Sequence, residues 1–311
     1  MKKFTAPQYN MKILFGPYGS LLSSLGISSN PLTLKQQGQL HWYRAAVEMI
    51  ARGYLNAGAT FPTVNAFFLR SLLKENLDEL FKEMLTLNIE ALLTALDKKN
   101  LGKIAICLGP ASHGYQSHLA PETAEAYLFA KRQYKLCLEV LHLFGLSTSE
   151  IVILHETIGT SREALGISQA AKALKIPMIL SFIANRTGFL LDGITLESVI
   201  SRIDSETSGF IEGFSLNCCS PYAFDPAVSS FEDKTCIKRI IGFYPNSYDA
   251  DPSAYETAES SMEPRKITSL ERIAENGHRY DLQFIGGCCG FGIQDIKNLS
   301  QEILRGSIGC H

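Results

Sequence analysis

Cysteine placement is the first feature of this 311-residue chain with chemical content. Of eight cysteines, Cys218-Cys219 and Cys288-Cys289 form adjacent pairs, while Cys107, Cys137, Cys236 and Cys310 stand alone. No apolar run follows Lys2 and Lys3 that would serve as an export signal, so a cytoplasmic, reducing setting is expected. Thiols there act as metal ligands or as small buried apolar groups, and the four isolated ones read best as the latter. The segment Ile285-Gly286-Gly287-Cys288-Cys289-Gly290 differs. Adjacent side chains on a strand face opposite ways. For both thiols to face one ion the backbone must leave strand geometry, which the flanking glycines permit. A thiol from Cys218 would complete a three-sulfur face. Three protein ligands leave a tetrahedral zinc with one open position, the arrangement of a catalytic rather than a structural site.

Such a zinc ionises a thiol that enters the open position. The site already carries a formal charge of about -1 from three thiolates on a divalent ion. A fourth thiolate therefore stays electron-rich and attacks a carbon that bears a leaving group. Water-activating zinc sites more often use histidine ligands. The implied chemistry is alkyl transfer to sulfur. Neighbouring cysteines on their own read equally well as ordinary buried residues, and the spacing is not that of a zinc ribbon. The elements that carry the cysteines therefore decide the matter.

Short apolar runs recur eight times, at 12–16, 59–65, 103–109, 151–156, 177–183, 213–218, 240–246 and 283–289. Their continuous apolar character fits strands covered on both faces of a parallel sheet. Helical spacing fills the gaps at 34–56, 66–96, 121–143, 161–174, 195–203, 268–275 and 293–305, with a less clear helix in 227–239. Strand followed by helix, eight times over, predicts an α/β fold: a single-domain (β/α)8 TIM barrel spanning 1–311. An open doubly wound sheet is the competing architecture. Barrel active sites form at the C-terminal strand ends. The pocket candidates are therefore Gly16, Asn65, Gly109, Glu156, Asn217-Cys218, Asn246 and Gly287-Cys288-Cys289. Glu156 reads either as half of a structural ion pair or as a carboxylate for a substrate ammonium group. Asn217 and Asn246 read as pocket hydrogen-bonding groups or as strand-end caps.

Composition narrows the partners. With 46% hydrophobic residues, 19% charged residues and a net charge of -2, the chain suits a large core and lacks a nucleic-acid footprint. No stretch approaches the roughly 18 apolar residues of a membrane span. No dinucleotide-type glycine fingerprint follows a strand. Oligomeric state is not legible at this level.

Asn217-Cys218, followed by Gly286-Gly287-Cys288-Cys289-Gly290, resembles the zinc-dependent homocysteine S-methyltransferase family. Ala57-Gly58-Ala59 with Thr63-Val64-Asn65-Ala66-Phe67, Gly109-Pro110, Glu156-Thr157-Ile158, Leu191-Asp192-Gly193 and Tyr244-Pro245-Asn246-Ser247 resemble further segments of that family. The resemblance implies a TIM barrel with Zn2+ on Cys218, Cys288 and Cys289. It implies homocysteine as methyl acceptor, methionine as product and Glu156 as holder of the substrate amino group. For a chain this short it also implies a small sulfonium donor, S-methylmethionine or S-adenosylmethionine. No role falls to His113, His118 or His155, since zinc removes the thiol proton, and His155 should face the helical shell. One departure stands out: the family's first-strand Asp is Phe15 here and its following Glu is Leu21. Their loss opens two alternatives, a different thiol acceptor or a non-catalytic zinc- or thiol-binding barrel. An oxidised Cys288-Cys289 pair is a third, strained alternative.

Overall fold

The computed structural model describes residues 11–97, 102–112, 114–229, 231–252 and 269–306. Eight parallel strands form one sheet: β1 (Lys12–Ile13), β2 (Thr63–Asn65), β3 (Ile104–Leu108), β4 (Ile151–Ile158), β5 (Met178–Phe182), β6 (Gly213–Asn217), β7 (Ile240–Tyr244) and β8 (Phe284–Ile285). The strand order is β1-β8-β7-β6-β5-β4-β3-β2. A single parallel bridge, Leu14 to Phe61, closes the circle between β1 and β2. There the Phe15 N–H donates to the Phe61 carbonyl at 3.1 Å and the Phe61 N–H to the Ile13 carbonyl at 2.8 Å. This is the (β/α)8 barrel expected from the strand-helix alternation.

Twelve α-helices surround the described barrel. The expected helix at 34–56 is two, α1 (Gly19–Ser24) precedes it, and the pair is α2 (Pro31–Gln36) and α3 (Leu40–Asn56). The expected span 66–96 is α4 (Arg70–Lys74) and α5 (Asp78–Leu96), behind a short 3-10 turn at Phe67–Leu69. Then come α6 (Thr123–Leu143), α7 (Ser161–Leu174) and α8 (Leu196–Thr207). The unclear helix resolves into two short ones, α9 (Phe224–Ser229) and α10 (Lys234–Ile237). The series ends with α11 (Leu270–Arg279) and α12 (Ile293–Gly306). Residue 268, His113 and Cys310, which entered the reading of the sequence, lie outside the described residues.

Alternation along the strands sorts side chains into two apolar layers. On β3, Ala105 and Cys107 face the barrel interior, while Ile104, Ile106 and Leu108 face the helices. On β4, Val152 and Leu154 point inward, and Ile151 and Ile153 outward. The interior layer is plugged by Phe61 and Phe284, whose rings meet edge to face at 5.3 Å. Burying one such aromatic side chain stabilises the fold by about 2–3 kcal/mol. Above this plug the same alternation carries Glu156 inward and His155 outward.

Two strand ends depart from regular geometry, and both lie at the functional rim. On β4 the register against β5 breaks between His155 and Ile158. β8 is short because the chain turns at Gly286, whose N–H still reaches the Phe243 carbonyl at 3.1 Å. Next to β4, α6 and α7 pack closely at Gly166, where an added Cβ would lie 2.3 Å from the Thr123 carbonyl oxygen. Backbone cannot retreat as a flexible side chain can. Gly166→Ala should therefore lower the unfolding free energy by about 2–3 kcal/mol in urea denaturation, against under 1 kcal/mol for an exposed Gly→Ala change elsewhere.

Candidate metal centre and thiol cavity

The sulfurs of Cys218, Cys288 and Cys289 all lie within 4.8 Å of one another. Cys218 Sγ and Cys288 Sγ are 2.7 Å apart. Sulfurs held at about 2.3 Å from one zinc ion are separated by roughly 3.8 Å, so the three thiols can share one ion once Cys218 and Cys288 move apart by about 1 Å. Its charge state is that of a cluster short of a cation. Hydrogen bonds from Cys218 and Cys288 hold Cys289 well below the ordinary thiol range. Donation toward Cys218 and Cys289, together with burial, pushes Cys288 up. Cys289 is thus the sulfur that most readily carries negative charge, and a thiolate is the form that ligates a divalent cation. The donor set and its spacing fit zinc. Among the described residues this is the one cluster of three or more such side chains close enough to hold a metal ion.

Local backbone geometry explains how distant cysteines converge. Cys288 and Cys289 share a face because the chain turns rather than continuing as strand. The Cys288 N–H donates to the Pro245 carbonyl at 2.7 Å, and the Ser247 N–H to the Cys289 carbonyl at 2.9 Å. Gly290 has φ +82°, a left-handed conformation that suits glycine, and a Cβ there would lie 2.1 Å from Ser247 Oγ. Phe291 packs back over Gly287, where a Cβ would lie 2.1 Å from its ring.

Cys218 itself has φ 50°, and Thr157 at the end of β4 has φ 67°. A left-handed β-branched residue is an outlier that costs on the order of 1–3 kcal/mol. Asn217 holds both in place. Its Oδ1 accepts the Thr157 N–H at 3.0 Å, and its Nδ2 donates to the Thr157 hydroxyl at 2.9 Å. Asn246 is the second brace: its Oδ1 accepts the Cys289 N–H at 3.2 Å, and its own N–H donates to the Cys219 carbonyl at 2.9 Å. Both asparagines are buried and outside the cavity lining. Their side chains position the cysteine loops.

The sulfurs form one wall of a cavity of about 230 Å³ at the C-terminal rim of the barrel. Glu156 and Asn65 line it, as do Cys107, Thr157, Tyr244 and the aromatic rings of Phe15, Tyr18, Phe67 and Phe68. Burial pushes the Glu156 carboxyl up to about 8, against the pull of Tyr244 and Cys107 beside it, and the charge of Cys289 raises it further. Asn65 Nδ2 donates to the Tyr43 hydroxyl at 3.2 Å. Phe15 sits at the position where the sequence motif led us to look for a carboxylate. It is buried and packs against Tyr54 with ring centroids 5.8 Å apart. Leu21 packs against the helical core instead of lining the cavity.

His155 faces outward as alternation requires. Its Nδ1 shares a hydrogen bond of 2.7 Å with the Tyr134 hydroxyl, and burial brings its imidazole down to about 3, so it remains neutral. His118 is exposed on a 3-10 turn. Cys219 is buried in the helical layer, its thiol pushed up to about 12 by burial. Cys137 and Cys236 are also core residues, but Cys107 is part of the site, beside Glu156 in the cavity lining. Tyr115, which nothing in the sequence marked, donates its hydroxyl to the Cys218 carbonyl at 3.3 Å and shields the sulfurs.

Residues 12–303 match the homocysteine S-methyltransferase family. The chain belongs to that family. As a family member it is an S-methyltransferase. A homocysteine methyltransferase from Escherichia coli, MmuM, shares the fold. Its metallated and oxidised forms each superpose with a TM-score of 0.71 at 16% identity, covering 94% of this chain and 96% of that one. Its apo form superposes with a TM-score of 0.65, covering 95% and 97%. No curated protein matches by sequence. Among the described residues no helix is long and apolar enough to cross a membrane.

The bracing role of Asn217 is open to direct measurement. Asn217→Ala removes two buried hydrogen bonds and should lower stability by about 2–3 kcal/mol in urea titration. It should also weaken zinc affinity of the purified protein by roughly tenfold or more in competition with a chromogenic chelator, since the loop carrying Cys218 is no longer held.

Proposed function

We propose that this protein transfers a methyl group from a small sulfonium donor, S-methylmethionine or S-adenosylmethionine, to the sulfur of homocysteine, giving methionine. The observation that carries this reading is the convergence of three cysteine sulfurs on the wall of a cavity that also contains Glu156. Zn2+, when held by Cys218, Cys288 and Cys289, supplies the acidity that keeps an incoming thiol ionised at neutral pH. A cytoplasmic setting, where thiols stay reduced, suits such a site.

The residues of the chain divide the remaining work. Asn217, Asn246 and Tyr115 fix the sulfurs, so little reorganisation is required when substrate arrives. Glu156 receives the ammonium group of the amino acid and aims its side chain at the sulfur wall. Asn65, on the opposite rim, offers polar contacts to the same substrate. The rings of Phe15, Phe67, Phe68 and Tyr244 exclude water and present π faces to a cationic sulfonium. The electron pair of the acceptor thiolate forms the new S–CH3 bond as the donor S–CH3 bond breaks. The donor then leaves as a neutral thioether, with its positive charge cancelled. No side chain need act as a base in that displacement.

Phe15 shapes the acceptor end. With an aromatic ring there, Glu156 is the carboxylate among the described cavity residues available to an ammonium group. A second reading, a barrel that binds thiols without turnover, rests on this substitution. It makes a contrary forecast: no repeated methyl transfer with homocysteine or other thiols.

Cys288→Ser should lose bound zinc, by atomic absorption, and methyl transfer together. A variant that keeps full activity without metal would sink the assignment. Glu156 gives an independent test through pH. In the free protein its carboxyl is protonated below about 8, and a bound ammonium favours the ionised form, so binding expels a proton. Affinity for methionine, which has no thiol to confuse the titration, should rise with pH toward about 8 and then level off. In calorimetry, Glu156→Gln should bind more weakly and lose this dependence.

A further inference from the structure

A second cavity, of about 330 Å³, adjoins the first and shares Ser29 and Phe68 with it as walls. Its remaining lining comes from Asn30, Pro31, Arg70, Ser71, Lys74 and Ser112. No acidic residue lines it. Arg70 is largely enclosed, and burial brings its guanidinium down to about 10, so it stays charged at neutral pH. The group is wedged between Phe67, whose ring centroid lies 4.2 Å from Arg70 Cζ, and Gly109, where an added Cβ would lie 2.7 Å from Nη1. Its hydrogen bond among the described residues is from Nη1 to the Phe67 carbonyl, at 3.2 Å. Neither Arg70 nor Lys74 forms an ion pair among the described residues. The nearby buried carboxylate, Glu163, is already committed. Its Oε1 accepts the Ser112 N–H at 3.1 Å and its Oε2 the Ser112 hydroxyl at 2.8 Å.

Glu163 attracts both Arg70 and Lys74 but lies beyond ion-pair distance of either, and a largely buried guanidinium without a direct carboxylate contact gains from a ligand that supplies one. Arginine presents a planar fork of donors matched to a carboxylate, and Lys74 adds a second positive charge at the mouth. We propose that this cavity is an anion subsite which takes a carboxylate of a substrate whose sulfur lies in the neighbouring thiol cavity. The identity of that substrate as a thiol or sulfonium rests on the function proposed above, whereas the anion subsite itself does not.

Chain length is the natural ruler. Calorimetry on the zinc-loaded protein would compare mercaptopropionate, mercaptobutyrate and mercaptohexanoate with their carboxamides. The acids should bind better by roughly tenfold at the length that spans the two cavities, the effect of a charge-assisted hydrogen bond. Arg70→Gln and the exposed-site variant Lys74→Gln should each reduce that ratio. A parallel arm would use S-methylmethionine and its amide in a transfer assay with mercaptoethanol. An acid preference confined to that arm assigns the carboxylate to the donor, and one confined to the thiols assigns it to the acceptor. Metal-free protein gives a third arm: butyrate should raise the thermal midpoint more than butyramide does, and Lys74→Gln should shrink the difference. If thiols bind but acid and amide are equal in every arm, the anion subsite is overturned while the thiol site stands. If no thiol binds, the butyrate comparison still decides: a difference that Lys74→Gln removes supports the subsite, and equality refutes it.

Discussion

The site depends on one amide group. Asn217 spends both ends of its side chain on Thr157, and by doing so holds two left-handed residues, Thr157 and Cys218, in backbone conformations that neither favours. The bridge ties the end of β4 to the residue that precedes Cys218. Bond and strain offset each other: two buried hydrogen bonds of about 1 kcal/mol each stand against backbone costs of similar size. The cysteine loops are therefore held by tertiary bonds from other strands. Asn246 repeats the arrangement on the far side, tying the Cys289 turn to the chain beyond Cys218. The positions of the three sulfurs are thus set by residues outside the cavity lining.

Around that frame the charges are sorted by position. The sulfur cluster and Glu156 make one end of the thiol cavity acidic. The aromatic rings, Phe15 among them, make its walls apolar, and Arg70 makes the adjoining compartment basic. Burial raises the Glu156 carboxyl and lowers the Arg70 guanidinium, so each favours its neutral form more than it would in water. An amino-acid substrate carries both complementary charges and a sulfur. Phe15 fits this division: a carboxylate at its position would place a second acid beside Glu156 and the thiols, whereas a ring adds an apolar face.

Much of this was legible in the sequence, because strand ends are local. Eight apolar runs gave the strands, and their last residues gave the list that contains Cys218, Cys288, Cys289, Glu156 and Asn65. The glycines beside Cys288 signalled a turn, and the turn is there. Alternation placed His155 outward and Glu156 inward. The roles of Asn217 and Asn246 stayed open, since a strand-end asparagine serves a ligand as readily as a backbone, and only the sixty-residue reach to Thr157 resolves it. Standing alone in the sequence, Cys107 reads as an ordinary core thiol. Its inward parity on β3 could have flagged it, because the same parity marked Glu156 on β4. Tyr115 and Arg70 sit on loops and short helices without periodicity, so nothing in their neighbourhood announces where they point. The helices at 34–56 and 66–96 broke into pieces because Gly38 and Asn76 take left-handed conformations that end a helix.

The seam between β1 and β2 carries a further consequence. Elsewhere around the barrel each strand is joined to its neighbour by at least two register pairs, but here one pair, Leu14 with Phe61, completes the ring. The chain beyond that pair leads directly to Phe15, Gly16 and Tyr18 on one side and to Asn65, Phe67 and Phe68 on the other, and these are the lips of the thiol cavity. The least tightly stitched part of the wall and the doorway to the chemistry are thus the same place. The Asn217 bridge, which ties β6 to β4, lies on the opposite arc, so the cysteine loops are braced away from that seam.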